Sequence, residues 1–147
     1  MSEKILEHNS PKQFYQADAC IVWCSDDRFT SLLEEFIRKR NYKNFDLIKV
    51  MGGAKALGDP EEETERLFLL KQIRASINFH QAKKIILMSH LDCELYKEKH
   101  SFKDDNEERE MLARDLKEAV HILRNNLPSD VEVEAVIVNF QGITAIE

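Results

Sequence analysis

The chain has 147 residues, 43% of them hydrophobic, with 21 Lys and Arg against 27 Asp and Glu for a net charge of -6. That length and apolar share suit one domain with a single core, and the acidic balance argues against nucleic acid as a partner, because neutralising phosphates takes clustered Lys and Arg. No apolar run of about 18 residues is present, and residues 1–14 lack the apolar stretch of a secretory signal, so no membrane contact is expected and the expected location is the cytoplasm.

Residues 1–17 are polar and weakly periodic, an N-terminal arm ahead of a domain over 18–147. The first strand falls on 19–25, ACIVWCS. A short helix follows with Leu32, Leu33, Phe36 and Ile37 inward. Arg38, Lys39 and Arg40 suit the negative end of its dipole, and it stops near Asn41. The second strand is FDLIKVM at 45–51, followed by the turn MGGAKALGDP. That turn is not a phosphate cradle, because Asp59 follows Gly58 where a P-loop needs Lys and Ser or Thr. Pro60 and three glutamates then open a helix over 60–80, with Leu67, Leu70, Ile73 and Ile77 as its apolar stripe.

The third strand is KKIILMSH at 83–90, and a polar surface loop is expected over 96–106. A helix over 106–127 carries Leu112, Leu116, Ala119, Val120, Leu123 and Leu127 at three- and four-residue spacing. The fourth strand falls on 131–140. The first three strands are near-continuous apolar runs, the pattern of strands covered on both faces, whereas VEVEAVIV starts with strict alternation and reads as a candidate edge strand.

Alternating strands and helices point to an α/β fold: one domain with a mostly parallel central sheet flanked by helices. The strand order is 2-1-3-4, with room for an antiparallel edge strand. With the second strand outside the first and the third on its other side, the winding reverses between strands one and three. The crevice at their carboxyl ends is where open α/β sheets bind ligands.

Three cysteines, an odd number, do not describe a disulfide framework, and in a reducing compartment metal or catalytic roles are the better expectation. Cys20 and Cys24 on one strand lie about 13 Å apart, beyond the roughly 7 Å that a disulfide spans. Cys20 is expected in the core. His8, His80, His100 and His121 lack partners at metal-ligand spacing. Cys24 differs, because the third strand ends in MSHLDCELY, which brings His90 and Cys93 to the same crevice. Two thiolates and an imidazole are a natural ligand set for zinc. Three protein ligands leave a fourth position open, the mark of a catalytic site. Asp26 and Arg28, two residues apart in a turn, can pair, and the arginine then keeps the carboxylate ionised and aimed. Such a carboxylate can assist a zinc-bound water or bind the zinc itself. Asp27 is left as a cap for the next helix.

Cys24-Ser25-Asp26-Asp27-Arg28 and His90-Leu91-Asp92-Cys93 resemble the Cys-x-Asp-x-Arg and His-x-x-Cys motifs of the β-class carbonic anhydrases. The resemblance extends to FDLIKVMGGAK, similar to that family's second strand and glycine turn, and to VEVEAVIVNFQGITAIE, similar to its terminal strand pair. It implies that Cys24, His90 and Cys93 bind Zn2+ and that Asp26 and Arg28 form the dyad beside the fourth ligand. It further implies that residues 18–147 form a zinc domain in which zinc-bound hydroxide attacks carbon dioxide to give bicarbonate. A homodimer or higher homo-oligomer is the implied assembly. Two thiolates cancel the ion's charge more fully than three imidazoles, whose zinc-bound water has a pKa of about 7, so activity is expected to favour alkaline pH.

The sequence departs from the family pattern at Ser89 and Glu94, where glycines are usual, and at 51–54, which lack the usual arginine. Those changes at the pocket keep two alternatives in view. One is a zinc hydrolase of carbonyl sulfide or carbon disulfide; the other is a non-catalytic zinc-binding relative.

Overall fold

The computed structural model describes residues 2–146. Its centre is a five-stranded sheet in the order β2-β1-β3-β4-β5, built from β1 (Ala19–Cys24), β2 (Phe45–Val50), β3 (Lys84–His90), β4 (Glu132–Asn139) and β5 (Gly142–Ala145). The first four strands are parallel and β5 runs antiparallel to β4. The expected order 2-1-3-4 therefore stands, with an antiparallel strand added outside β4.

Every residue of β1 is buried, as is all of β3 except Lys84, which is why both read as unbroken apolar runs. Two of the expectations for the other strands are corrected. β2 is not covered on both faces: it is the outer strand, Leu47 and Lys49 are exposed, and the rest is half-buried. Asp46 and Lys49 interrupt its apolar run, and that interruption marks an edge. β4 is not the edge, because β5 pairs with it from Val136 to Asn139. The alternation at its start reflects Glu132, which is exposed and lies before β5 reaches it.

The first crossover runs from β1 to one side and the second from β2 back past β1, so right-handed connections put their helices on opposite faces. On one face lies α1 (Thr30–Lys39), with Leu33 and Phe36 buried. Trp23 stacks on Phe36 at 6.3 Å and donates its indole N–H to the Phe29 carbonyl at 3.2 Å. The other face carries α2 (Lys55–Gly58), α3 (Glu63–His80) and α5 (Asp105–Asn126). Burying a side chain such as Trp23, Ile73 or Leu116 contributes about 1.5 to 3 kcal/mol each.

Helix α3 starts three residues after Pro60, because Glu62 and Glu65 form a reciprocal capping box there. Its buried stripe is Leu69, Leu70, Ile73 and Ser76, whereas Leu67 is exposed, contrary to expectation. Leu67 is out of phase with that stripe. Helix α5 buries Leu112, Leu116, Ala119 and Leu123 as expected, and Glu108 on the same stripe. The stretch expected as a surface loop at 96–106 contains the end of a one-turn helix, α4 (Glu94–Lys97), and the start of α5. Tyr96 of α4 is fully buried and its hydroxyl donates to Asp115 at 2.7 Å.

Residues 2–18 form no helix or strand. They are fastened where Tyr15 donates to the Asp46 carboxylate, which also accepts from Ser76 Oγ at 2.6 Å and pairs with His80 Nδ1 at 2.7 Å. Among the described residues no helix is long and apolar enough to cross a membrane.

Candidate metal centre

Parallel pairing of β1 and β3 aligns their carboxyl ends, so the turns after Cys24 and His90 emerge side by side. After Cys24 the Ser25 N–H donates to Val50 O at 3.1 Å. Asp26 then accepts from the Arg28 N–H at 3.0 Å and caps a 3-10 turn over Asp27–Phe29. Asp27 caps neither this turn nor α1, whose N-cap is Phe29; its carboxylate accepts from the Thr30 hydroxyl at 3.2 Å. After His90 the Leu91 N–H is held by Val138 O at 2.9 Å, and Asp92 takes a left-handed φ of 60° before Cys93. The glycine turn after β2 lies over both ends. Gly53 has φ +57°, a Cβ there would sit 2.3 Å from Met88 O, and Gly52 donates its N–H to Cys24 Sγ at 3.4 Å. Glycine is required because the backbone passes closer to β3 than a side chain allows.

The ligating atoms of Cys24, His90 and Cys93 lie within 4.8 Å of one another, and all three residues are buried. His90 Nδ1 lies 2.7 Å from the Leu91 carbonyl. A carbonyl only accepts, so Nδ1 carries the proton, and in the neutral ring Nε2 presents its lone pair to the thiols. Nε2 is buried with no hydrogen-bond partner among the described residues, a state that costs free energy unless something fills it. A cation satisfies that lone pair and both sulfurs at once, and the set of two S and one N fits zinc. The Cys24 thiol is poised for this. The Cys93 thiol beside it, offset by burial, lowers Cys24 to about 4. The resulting thiolate, together with burial, pushes Cys93 far up. Burial lowers the pKa of His90, but the adjacent Cys24 sulfur and the Leu91 carbonyl raise it to a net increase.

Asp26 and Arg28 pair, as expected. Arg28 Nε and Nη2 donate to the two Asp26 carboxylate oxygens at 3.0 and 2.7 Å, and this pairing, against a smaller effect of burial, holds Asp26 down to about 2. Asp26 Oδ2 lies 3.9 Å from His90 Nε2, so an ionised, oriented carboxylate stands at the mouth of the cluster. The Phe29 ring packs against His90 at 4.5 Å and Phe140 at 5.2 Å, and the Arg28 guanidinium lies over both rings. Cys20 sits in the core, its thiol raised to about 12 by burial. Glu94 is exposed and pairs with Lys97 at 3.6 Å, so its bulk points away from the buried cluster. Ser89 is buried and its hydroxyl is unpartnered among the described residues.

Sequence reasoning missed Phe29, Phe140, Asp92 and Glu108. A signal existed for Glu108, which stands four residues before Leu112 on an apolar stripe where a charge is out of place. Phe140 carried none, because only the β4 to β5 turn brings it to Arg28.

A family model described as "Putative carbonic anhydrase" matches residues 14–145. No curated protein matches the sequence. Among solved structures, a β-carbonic anhydrase from Trichomonas vaginalis matches with TM-score 0.61 at 18% identity, covering 95% of this chain and 87% of that one. A carbon disulfide hydrolase matches with TM-score 0.57 at 15% identity, covering 88% and 79%. A structure of tetrameric β-carbonic anhydrases from Sordaria macrospora matches with TM-score 0.55 at 15% identity, covering 90% and 81%. At such identities the likeness is one of fold.

Proposed function

Because the chain belongs to the family described as putative carbonic anhydrases and shares the fold of β-class carbonic anhydrases, we propose that it is a zinc enzyme catalysing the reversible hydration of carbon dioxide to bicarbonate. The observation that carries this reading is the buried, unpartnered Nε2 of His90 facing two thiols, with an ionised carboxylate fixed beside it. Cys24, His90 and Cys93 would hold the zinc, which would supply a Lewis acid that activates water. The chain's own residues do the rest. The Leu91 carbonyl fixes the His90 tautomer. Gly52 N–H steadies the Cys24 sulfur. Asp26, kept charged by Arg28, offers a proton acceptor of fixed direction, and Phe29 and Phe140 give the mouth an apolar wall that suits a small non-polar substrate.

Stopped-flow hydration by zinc-loaded protein is expected to show activity that Asp26→Ala largely removes, and equal rates in the two proteins would sink the dyad's role. A second reading, hydrolysis of carbon disulfide or carbonyl sulfide, is favoured by the same apolar wall and by the shared fold of a carbon disulfide hydrolase. Turnover confined to carbon dioxide in a substrate panel removes it. A third, non-catalytic reading has Asp26 bound to the zinc, and is removed by turnover of any of these substrates.

We also propose that residues 18–147 act as one zinc domain, in the cytoplasm where thiols stay reduced, and that the chain forms a homodimer or larger homo-oligomer. The open edge of β2 and the exposed Leu47, Phe68 and Phe79 support assembly. A monomer in sedimentation experiments at micromolar concentration would refute it.

A further inference from the structure

We infer that Asp92 is a positioning residue that holds Arg28 in register with Asp26, an inference that rests on the hydration reading for its kinetic consequence. A guanidinium offers five N–H groups in one plane. Asp26 takes only the edge that carries Nε and Nη2. Arg28 Nη1 donates to Asp92 Oδ2 at 2.9 Å, and Nη2 donates to the Asp92 carbonyl oxygen at 3.0 Å. Side-chain and main-chain acceptors of a single residue therefore occupy the second edge. One anchored edge leaves the plane free to tilt; two edges fix it.

Asp92 is itself held from two sides. Lys97 Nζ donates to Oδ1 at 2.8 Å, and Glu108 Oε2 accepts the Asp92 N–H at 2.8 Å. Glu108 is a nearly buried carboxylate on a stripe that is otherwise apolar, a costly placement unless it has a task. The φ of 60° at Asp92 is likewise strained for a residue with a side chain. Both features converge on one residue between the ligands His90 and Cys93. The loop that delivers two metal ligands thus also delivers the second anchor of the dyad, which ties the two motifs together across 64 residues.

Asp92 and Arg28 are each more than 40% exposed, and an ion pair so wetted contributes little to folding. Its effect is therefore expected in orientation rather than in stability. Asp92→Gly removes the side-chain anchor while tolerating the backbone angle, and Asp92→Asn restores an acceptor at that angle.

The test uses zinc-loaded protein and two readouts. In nitrogen-15 NMR the Arg28 Nη groups, assigned by their loss in Arg28→Lys, are expected to show separate, slowly rotating signals that coalesce in Asp92→Gly and reappear in Asp92→Asn. In hydration assays kcat is expected to fall about 10-fold in Asp92→Gly with KM within about 2-fold, the cost of a misaligned group. No further loss is expected when Arg28 is already alanine. Unchanged Arg28 signals in Asp92→Gly, or the same fold-loss with and without Arg28, would overturn the inference. A wild-type protein that fails to hydrate carbon dioxide while its Arg28 signals behave as expected would overturn the hydration reading and support the anchor.

Discussion

Two polar clusters sit at opposite ends of the same sheet, and they differ in how far they are satisfied. At the amino end, Asp46 is the hub for Tyr15, Ser76 and His80, and its carboxylate has a partner on every side. At the carboxyl end, the Asp26 carboxylate is equally well paired, but beside it lie two free thiols and an unpartnered buried imidazole nitrogen. The closed cluster fastens the segment before β1 to β2 and α3. The open one leaves two thiols and an imidazole nitrogen for a ligand to satisfy. A satisfied buried network stabilises, and an unsatisfied one identifies where the missing partner binds.

The sharpest way to break the contrast is to remove a ligand. His90→Ala should weaken zinc binding by more than about 100-fold in chelator competition, beyond the 10- to 100-fold typical of losing an outer partner, and leave the Asp46 cluster intact. Next in size is Asp26→Ala, expected to retain zinc yet lose about 100-fold or more in hydration rate, as when a general base is removed.

The opposite end should answer in stability alone. Asp46→Ala strands Tyr15, Ser76 and His80, and is expected to lower stability by about 1 to 3 kcal/mol in urea titration, with zinc affinity unchanged. A change in zinc affinity there would erase the distinction between the two ends. The smallest effect is in pH dependence. Burial raises the Asp46 pKa, but the bonds from Ser76, Tyr15 and His80 outweigh it and leave the group below its ordinary 3.8. A depressed carboxylate stabilises fully above that ordinary value, and its contribution is lost as pH falls through the lower folded one. Urea midpoints measured between pH 5 and pH 2 should therefore fall more steeply in the wild type than in Asp46→Asn.

Much of this was legible in the sequence, for identifiable reasons. β1 and β3 announced themselves because strands covered on both faces must be apolar throughout, and the clustering of Cys24, His90 and Cys93 was legible because all three fall at the ends of adjacent strands. β2 was misread because Phe45, Leu47, Ile48 and Val50 are as apolar as a central strand, and only Asp46 and Lys49 betray the edge. Tyr15, Asp46, Ser76 and His80 are dispersed over 66 positions and share no pattern that precedes folding. Asp92 was visible inside a motif, yet its bond to Arg28 depends on a left-handed backbone angle that no residue preference dictates.

The most direct test is zinc X-ray absorption on the purified, zinc-loaded protein. The expected result is one zinc per chain with two sulfurs at about 2.3 Å, one imidazole nitrogen at about 2.0 to 2.1 Å and one further light atom. A shell without two sulfurs, or zinc bound well below one per chain, would contradict the account.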